Sequence, residues 1–240
     1  MKTILIAIAL LFVLPSTPLE ARRRRRKKPN GKVVGVLQAP WLQHAASRRQ
    51  TRAYWSFAVP NLQLKRTRAS YGDFLVFLDV WDEMNAPNSD GLLQIVGAEL
   101  RPRMLIIPRK GPKETITVHS LDMMEHRLTS KDHPELKHLV LQRNSKSNVQ
   151  LDNVLPLQNG ETVTYRVRSL DLKHLWGEIV FVRSTCFTLA GADGRFELTG
   201  VPKGTYRLRV YYRGKILLTR PVEVGRKAVN LKVLTLKQAD

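Results

Sequence analysis

A single cysteine, Cys186, stands in 240 residues. No disulfide can form within the chain, so stability has to come from packing. Cys186 also lies far from any cleavage point near the start, which excludes a lipid-modified cysteine at a mature N-terminus. Long apolar runs are missing too. The one sustained run, Ile4 to Leu14, falls short of the roughly 20 residues that span a bilayer. Acidic residues are scarce, 20 Asp and Glu against 40 Lys and Arg, for a net charge of +20. The chain has no G-x-S-x-G elbow, no P-loop and no dinucleotide fingerprint; its glycines fall singly at turns. Nucleophilic catalysis and nucleotide chemistry therefore have no visible seat. Sustained helical periodicity is absent as well, which argues against helical and α/β architectures.

What is present begins with an export signal. Lys2, the apolar run and the Pro15 to Ala21 stretch read as a signal peptide over 1–21, with Ala21 as the small residue before cleavage. The expected location is the periplasm or the cell exterior, in association with the envelope. Arg22 to Lys28 follow at once, and basic residues after an apolar segment favour the cytoplasmic side. An uncleaved anchor is thus the alternative, and it would give the only membrane span. Residues 22–30 form a basic segment too densely charged to fold on its own. Setting aside the seven cations from Arg22 to Lys28 still leaves about +13, so the folded part is basic in its own right. For an exported protein the matching partners are anionic envelope polymers, lipid headgroups or partner proteins, with carbohydrate possible and nucleic acid not expected.

Beyond Gly31 the chain reads as an all-β protein. Valine-rich Lys32 to Leu37 predicts a first strand, and Ala39–Pro40 ends it. Residues 41 to 70 predict a loop with one short helix. Phe74 to Trp81 predicts a buried strand, followed by strands at Leu92–Val96, Met104–Ile107, Thr115–Val118, Glu161–Val167 and Ile179–Val182. The polar stretch from His133 to Asn153 offers only the patch Leu139–Leu141. In the last third, Phe187–Leu189, Arg195–Leu198, Tyr206–Tyr211 and Ile216–Leu218 are separated by Ala192-Asp193-Gly194, Pro202-Lys203-Gly204 and Arg213-Gly214. These are turn formers, and the pattern is a run of hairpins closed by Val229–Leu236.

The segment Phe187 to Tyr211, with its A-D-G-R-F and G-V-P-K-G-T-Y turns, resembles carboxypeptidase-regulatory-like (transthyretin-like) domains. Gly31-Lys32-Val33-Val34-Gly35 is similar to the G-x-V-x-G strand that opens them. The resemblance implies a split module, its first strand before residue 40 and the remainder after about residue 178. The region between, through Leu100 to Pro108 and Gly160-Glu161-Thr162-Val163, resembles plastocyanin-like and methylamine-utilisation cupredoxins. Together they imply two packed β-sandwich modules, divided as 31–71 (first strand plus linker), 72–178 (cupredoxin-like) and 179–240 (regulatory-like).

In copper-binding members a histidine follows a strand in the first half, and a cysteine, a histidine and a methionine share a later loop. His126 matches the first ligand. Leu170, Lys173 and Trp176 stand at the later positions, His174 fits only by a one-residue slip, and Cys186 lies beyond the next strand. The resemblance therefore implies a module without copper, with His126 and His174 the only metal candidates and no cofactor expected. His119, His133 and His138 match no ligand spacing, and Asp79, Asp82 and Glu83 read as turn carboxylates. Tyr211 and Tyr212 should face opposite sides of a strand, one of them exposed beside Arg213; these three are the candidate binding residues. The expected function is that of a non-catalytic envelope protein, a binding or structural module. The alternatives are a metal-binding electron carrier and a carbohydrate-binding accessory module.

Overall fold

The computed structural model describes residues 31–45, 71–82, 91–109, 114–133, 136–151 and 157–237. The expected signal peptide and basic segment, and most of the linker before residue 71, lie outside them. Sixteen strands and two short helical turns make up the described structure, as the all-β reading requires.

The first sandwich gathers strands from both ends of the chain. β1 (Gly31–Gln38) lies between β13 (Arg195–Val201), antiparallel, and β16 (Val229–Thr235), parallel. Facing this sheet is a second, in the order β12 (Phe187–Leu189), β2 (Leu75–Leu78), β14 (Gly204–Tyr212), β15 (Lys215–Val224). Val33, Leu37, Phe196 and Leu198 from one layer meet Val76, Leu78, Leu208 and Val222 from the other. The N-terminal strand thus pairs with two strands of the C-terminal third. The Ala192-Asp193-Gly194 turn works as its residues suggest: Asp193 Oδ1 accepts the Arg195 N–H at 3.0 Å. Gly194 sits at φ +81°, where an added Cβ would come within 2.5 Å of the Leu37 carbonyl oxygen, so only glycine fits.

The second sandwich is built from the intervening residues. One sheet runs β5 (Met104–Pro108), β11 (Trp176–Val182), β10 (Thr162–Ser169), β7 (His126–Ser130), β8 (Leu139–Leu141). The other runs β4 (Glu99–Arg101), β3 (Gly91–Val96), β6 (Glu114–Ser120), β9 (Lys146–Leu151). Their shared core includes Leu93, Ile95, Ile116, Val118, Ile179 and Phe181.

Strand pairing moves both boundaries expected from sequence. β2, placed in the central module by its position after residue 72, hydrogen-bonds to β12 and β14 of the first sandwich. β11, cut by the boundary at 178, pairs along its whole length with β10 of the second. The runs Leu75–Leu78 and Ile179–Val182 are apolar throughout because both of their faces are buried. Val76 and Leu78 enter the first core while Leu75 and Phe77 point the other way; Ile179 and Phe181 enter the second core while Val180 and Val182 point back. Leu75, Phe77, Met104, Val180, Val182 and Tyr211 thus form a third apolar cluster between the sandwiches. The molecule is four sheets deep, joined by this seam.

Four strands lie where none was expected: β4, β7, β8, which takes up the apolar patch Leu139–Leu141, and β9. β9 falls in a stretch read as polar, and its burial alternates so that only Val149 and Leu151 are buried. A strand with one solvated face shows little hydrophobicity in total, which hid it. The helix α1 (Pro40–Ala45) is the short helix expected after residue 40.

Candidate binding site at the junction of the sandwiches

The hairpin between β14 and β15 closes over two residues, with Tyr212 paired to Lys215. Arg213 and Gly214 have φ of +46° and +85°, the signature of a type I′ turn, whose first central position normally takes asparagine, aspartate or glycine. An arginine there costs about 1–2 kcal/mol in backbone conformation. Its side chain reaches Asp73, at the end of the 3-10 turn Tyr71–Asp73, with Nη2 3.7 Å from Oδ2. That is an ion pair and not a hydrogen bond.

Three guanidinium groups gather around one indole at this end of the seam. Trp176 opens β11 and is half-buried; the guanidinium carbon of Arg103 lies 3.9 Å from its ring centroid, that of Arg213 5.5 Å and that of Arg166 5.9 Å. Two residues along the same face, Glu178 is 2% exposed. It accepts from Arg166 Nη2 at 3.1 Å and from the Tyr211 hydroxyl at 3.2 Å. The Tyr211 oxygen in turn accepts the Gly214 N–H at 2.7 Å and meets Thr164 Oγ1 at 2.8 Å. The polar groups of this cluster are therefore satisfied, as burial demands, and the tip of the hairpin is tied to the second sandwich through the Tyr211 phenol and the Arg213–Trp176 contact.

The charges do not cancel. Asp73 stands with Arg213 and Glu178 with Arg166, but among the described residues no carboxylate lies within ion-pair distance of Arg103. Burial is the main cause of the lowered pKa of its guanidinium, and neighbouring Arg213 acts in the same direction while Asp73 opposes both. A shallow surface recess, with enclosed room for about one water molecule, opens to solvent here, lined by Asp73, Arg103, Met104, Trp176, Glu178 and Arg213. Its chemistry is that of an anion site with an aromatic flank: guanidinium forks to grip oxyanions, and an indole edge for apolar contact. At the opposite end of β11 a second stack, Arg183 at 4.0 Å from the Trp81 ring, closes the seam.

The residues singled out from sequence fall differently. Of the three binding candidates, only Arg213 brings a charged group to the recess. Tyr211 is 1% exposed in the seam. Tyr212 is half-buried, stacked on Phe74 at 4.5 Å and edge-on to Trp41 at 5.4 Å. The exposed tyrosine expected beside Arg213 is therefore corrected: one ring fills the seam, and the other packs against the core of the first sandwich. Arg103, Asp73, Arg166 and Glu178 were not anticipated. The one available signal was a charged residue inside the apolar run of β11, two positions from Trp176, which in a strand puts both on one face.

His126 is 1% exposed, and its Nε2 is 2.9 Å from Asp122 Oδ2. The same carboxylate accepts the N–H groups of Gly97 at 2.6 Å and Ala98 at 2.9 Å. His174 is exposed in the turn before β11. Cys186 is buried in the core of the first sandwich, whereas His126 lies beside Leu141 of the second. Burial pushes the Cys186 thiol up, away from the thiolate form that binds metal. Trp176, aligned from sequence with a ligand position, faces the seam, as Val180 and Val182 do. Among the described residues no three His, Cys, Asp or Glu side chains are grouped to hold a metal. The donors do not fit a cupredoxin copper centre. Added Cu(II) is expected to produce no intense thiolate-to-copper absorption band; a strong band at one copper per chain would refute that assignment. His133 packs edge-on against Tyr165 at 4.6 Å, and Asp79 Oδ1 accepts the Arg207 N–H at 2.6 Å, so both have structural work in the fold.

Among solved structures the chain is similar to cupredoxins. Amicyanin from Paracoccus versutus matches at 9% identity and a TM-score of 0.30, over 44% of this chain and 96% of that one. A purple cupredoxin from Nitrosopumilus maritimus matches at 18% identity and a TM-score of 0.27, over 38% of this chain and 99% of that one. No protein-family model matches the chain, and no curated protein matches it. At these scores the likeness says nothing of activity.

Proposed function

We propose that this protein is a non-catalytic binding scaffold of the cell envelope, exported by its N-terminal signal, that contacts anionic polymers or partner proteins. In this reading the first sandwich is a regulatory-like module, and the second is a cupredoxin-like module that has lost its copper ligands. The observation that carries the proposal is the cation excess on the exposed surface of the first sandwich. Lys203, Arg207, Arg220, Arg226 and Lys227 are exposed there. Of the exposed acids there, Asp193 and Glu197 are already engaged with Arg195 and Lys32, at 3.2 Å and 2.8 Å, and Glu223 on β15 offsets one of these five cations. Such a surface attracts polyanions over a Debye length, about 10 Å at 0.1 M salt. Two sandwiches joined through an apolar seam hold that surface rigid.

The test is binding of the full chain to a carboxylated polysaccharide and to phosphatidylglycerol vesicles, each at low and high sodium chloride. Affinity for at least one is expected to fall more than tenfold as salt rises from about 0.05 M to about 0.5 M. Binding to neither, or binding indifferent to salt, would sink the proposal.

A further inference from the structure

We infer that the recess around Trp176 is a carboxylate-binding subsite for an acidic polysaccharide, with Arg103 as its principal contact and Arg213 as its second. This rests on the anionic-polymer reading above and gives it an address. Arg103 is half-buried, stacked 3.9 Å from the Trp176 ring and turned to the recess, yet no described carboxylate pairs with it. Its nearest opposing charges, Asp73 and Glu99, act on it from beyond ion-pair distance, so an incoming anion would find a partly desolvated guanidinium with donors to spare. Arg213 adds a second fork from an unfavourable backbone position, φ +46°. Its 3.7 Å approach to Asp73 leaves its N–H groups short of a hydrogen bond to that carboxylate.

Two carboxylates also line the recess and oppose an anion. Glu178 is occupied by Arg166 and Tyr211, and Asp73 stands against Arg213, so three guanidiniums outweigh them by one charge. The planar fork of arginine matches a planar carboxylate in two parallel bonds. The flank of Trp176 offers an aromatic surface to the C–H face of a sugar ring. These features favour a uronate-type polymer over a lipid surface.

The experiment is calorimetric titration of the full chain with trigalacturonate, its methyl-esterified neutral counterpart and phosphatidylglycerol vesicles, with Trp fluorescence followed in parallel. Arg103→Gln and Arg213→Asn are compared with Arg195→Gln, which removes the same charge from the outer sheet of the first sandwich. Asparagine suits the type I′ position, so Arg213→Asn keeps the hairpin and serves if Arg103→Gln fails to fold. The expected result is trigalacturonate binding that perturbs Trp fluorescence, is weakened about tenfold or more by either recess variant, is nearly unchanged in Arg195→Gln and is absent for the ester. Equal weakening by all three variants, or by none, places the anion elsewhere and overturns the subsite while leaving the scaffold reading intact. Recess-dependent binding of vesicles without trigalacturonate overturns the polysaccharide assignment. Failure of the unmodified chain to bind any of these anions removes both readings together.

Discussion

Replacing Tyr211 by alanine is expected to lower the stability of the protein by about 3–5 kcal/mol and to split its denaturation into two transitions. The ring is 1% exposed and belongs to the apolar seam with Leu75, Phe77, Met104, Val180 and Val182. Its hydroxyl is the shared point of bonds to Glu178, Gly214 and Thr164. Removing it opens a cavity in the layer that couples the sandwiches and leaves Glu178 buried with one partner fewer. Two sandwiches with separate cores then lose their reason to unfold together. Denaturation followed by Trp fluorescence and by far-UV circular dichroism checks this. One transition, with coincident probes and a loss under about 1 kcal/mol, would show that the seam carries little.

Tyr211→Phe isolates the hydroxyl. Burial, aided by the Glu178 charge, pushes the Tyr211 phenol well above its ordinary value. In the unfolded chain the phenol begins to ionise near pH 10. The folded state keeps its proton to higher pH, so over that window the unfolded state binds fewer protons and stability falls as pH rises. The slope per group is at most about 1.4 kcal/mol per pH unit. The phenylalanine variant should lose about 1–2 kcal/mol at neutral pH and show a flatter alkaline slope. The remaining slope belongs to Tyr206, Tyr212 and Cys186, each raised chiefly by burial.

Asp122→Ala is expected to cost about 1–3 kcal/mol, on the scale of leaving part-buried donors without their acceptor. One carboxylate caps two N–H groups in the turn between β3 and β4 and holds His126 in place. Gly97 and Ala98 both have φ near +60°, and Ala98, lacking a polar side chain, depends on that cap to stay in the left-handed region. Without it, two backbone donors and a buried imidazole lose their acceptor. Asp122→Asn, which keeps one acceptor oxygen, should lose about half as much in chemical denaturation. An alanine variant within about 1 kcal/mol of the parent would mean that water replaces the carboxylate.

Asp122 also shows why parts of the structure were hidden from the sequence. His126 stood out as a metal candidate because a histidine after a strand is the visible half of a ligand pattern; the other half of its environment is an aspartate four residues earlier that bonds to a turn 24 residues away. Nothing in local spacing distinguishes a histidine locked by a carboxylate from one awaiting a metal. The two tyrosines behaved likewise. Strand alternation correctly put Tyr211 and Tyr212 on opposite faces, but both faces of β14 are covered at that end, one by the second sandwich and one by Trp41 and Phe74.

The sequence by itself determined the all-β class, the positions of most strands, and the turns after Ala192 and at Arg213-Gly214. Those features follow from short-range rules: alternation of side chains, the φ demands of glycine and proline, and β-branched residues where a pleated surface needs them. The tertiary structure alone decided which sandwich owns β2 and β11, since a strand buried on both faces carries an unbroken apolar run with no face marked as inward. It alone brought together Asp73, Arg103, Arg166, Trp176, Glu178 and Arg213, which come from five separate segments of both sandwiches, only Trp176 and Glu178 sharing a strand. Their meeting depends on how two finished sheets stack, and the apolar residues that drive the stacking are not the charged ones that line its rim.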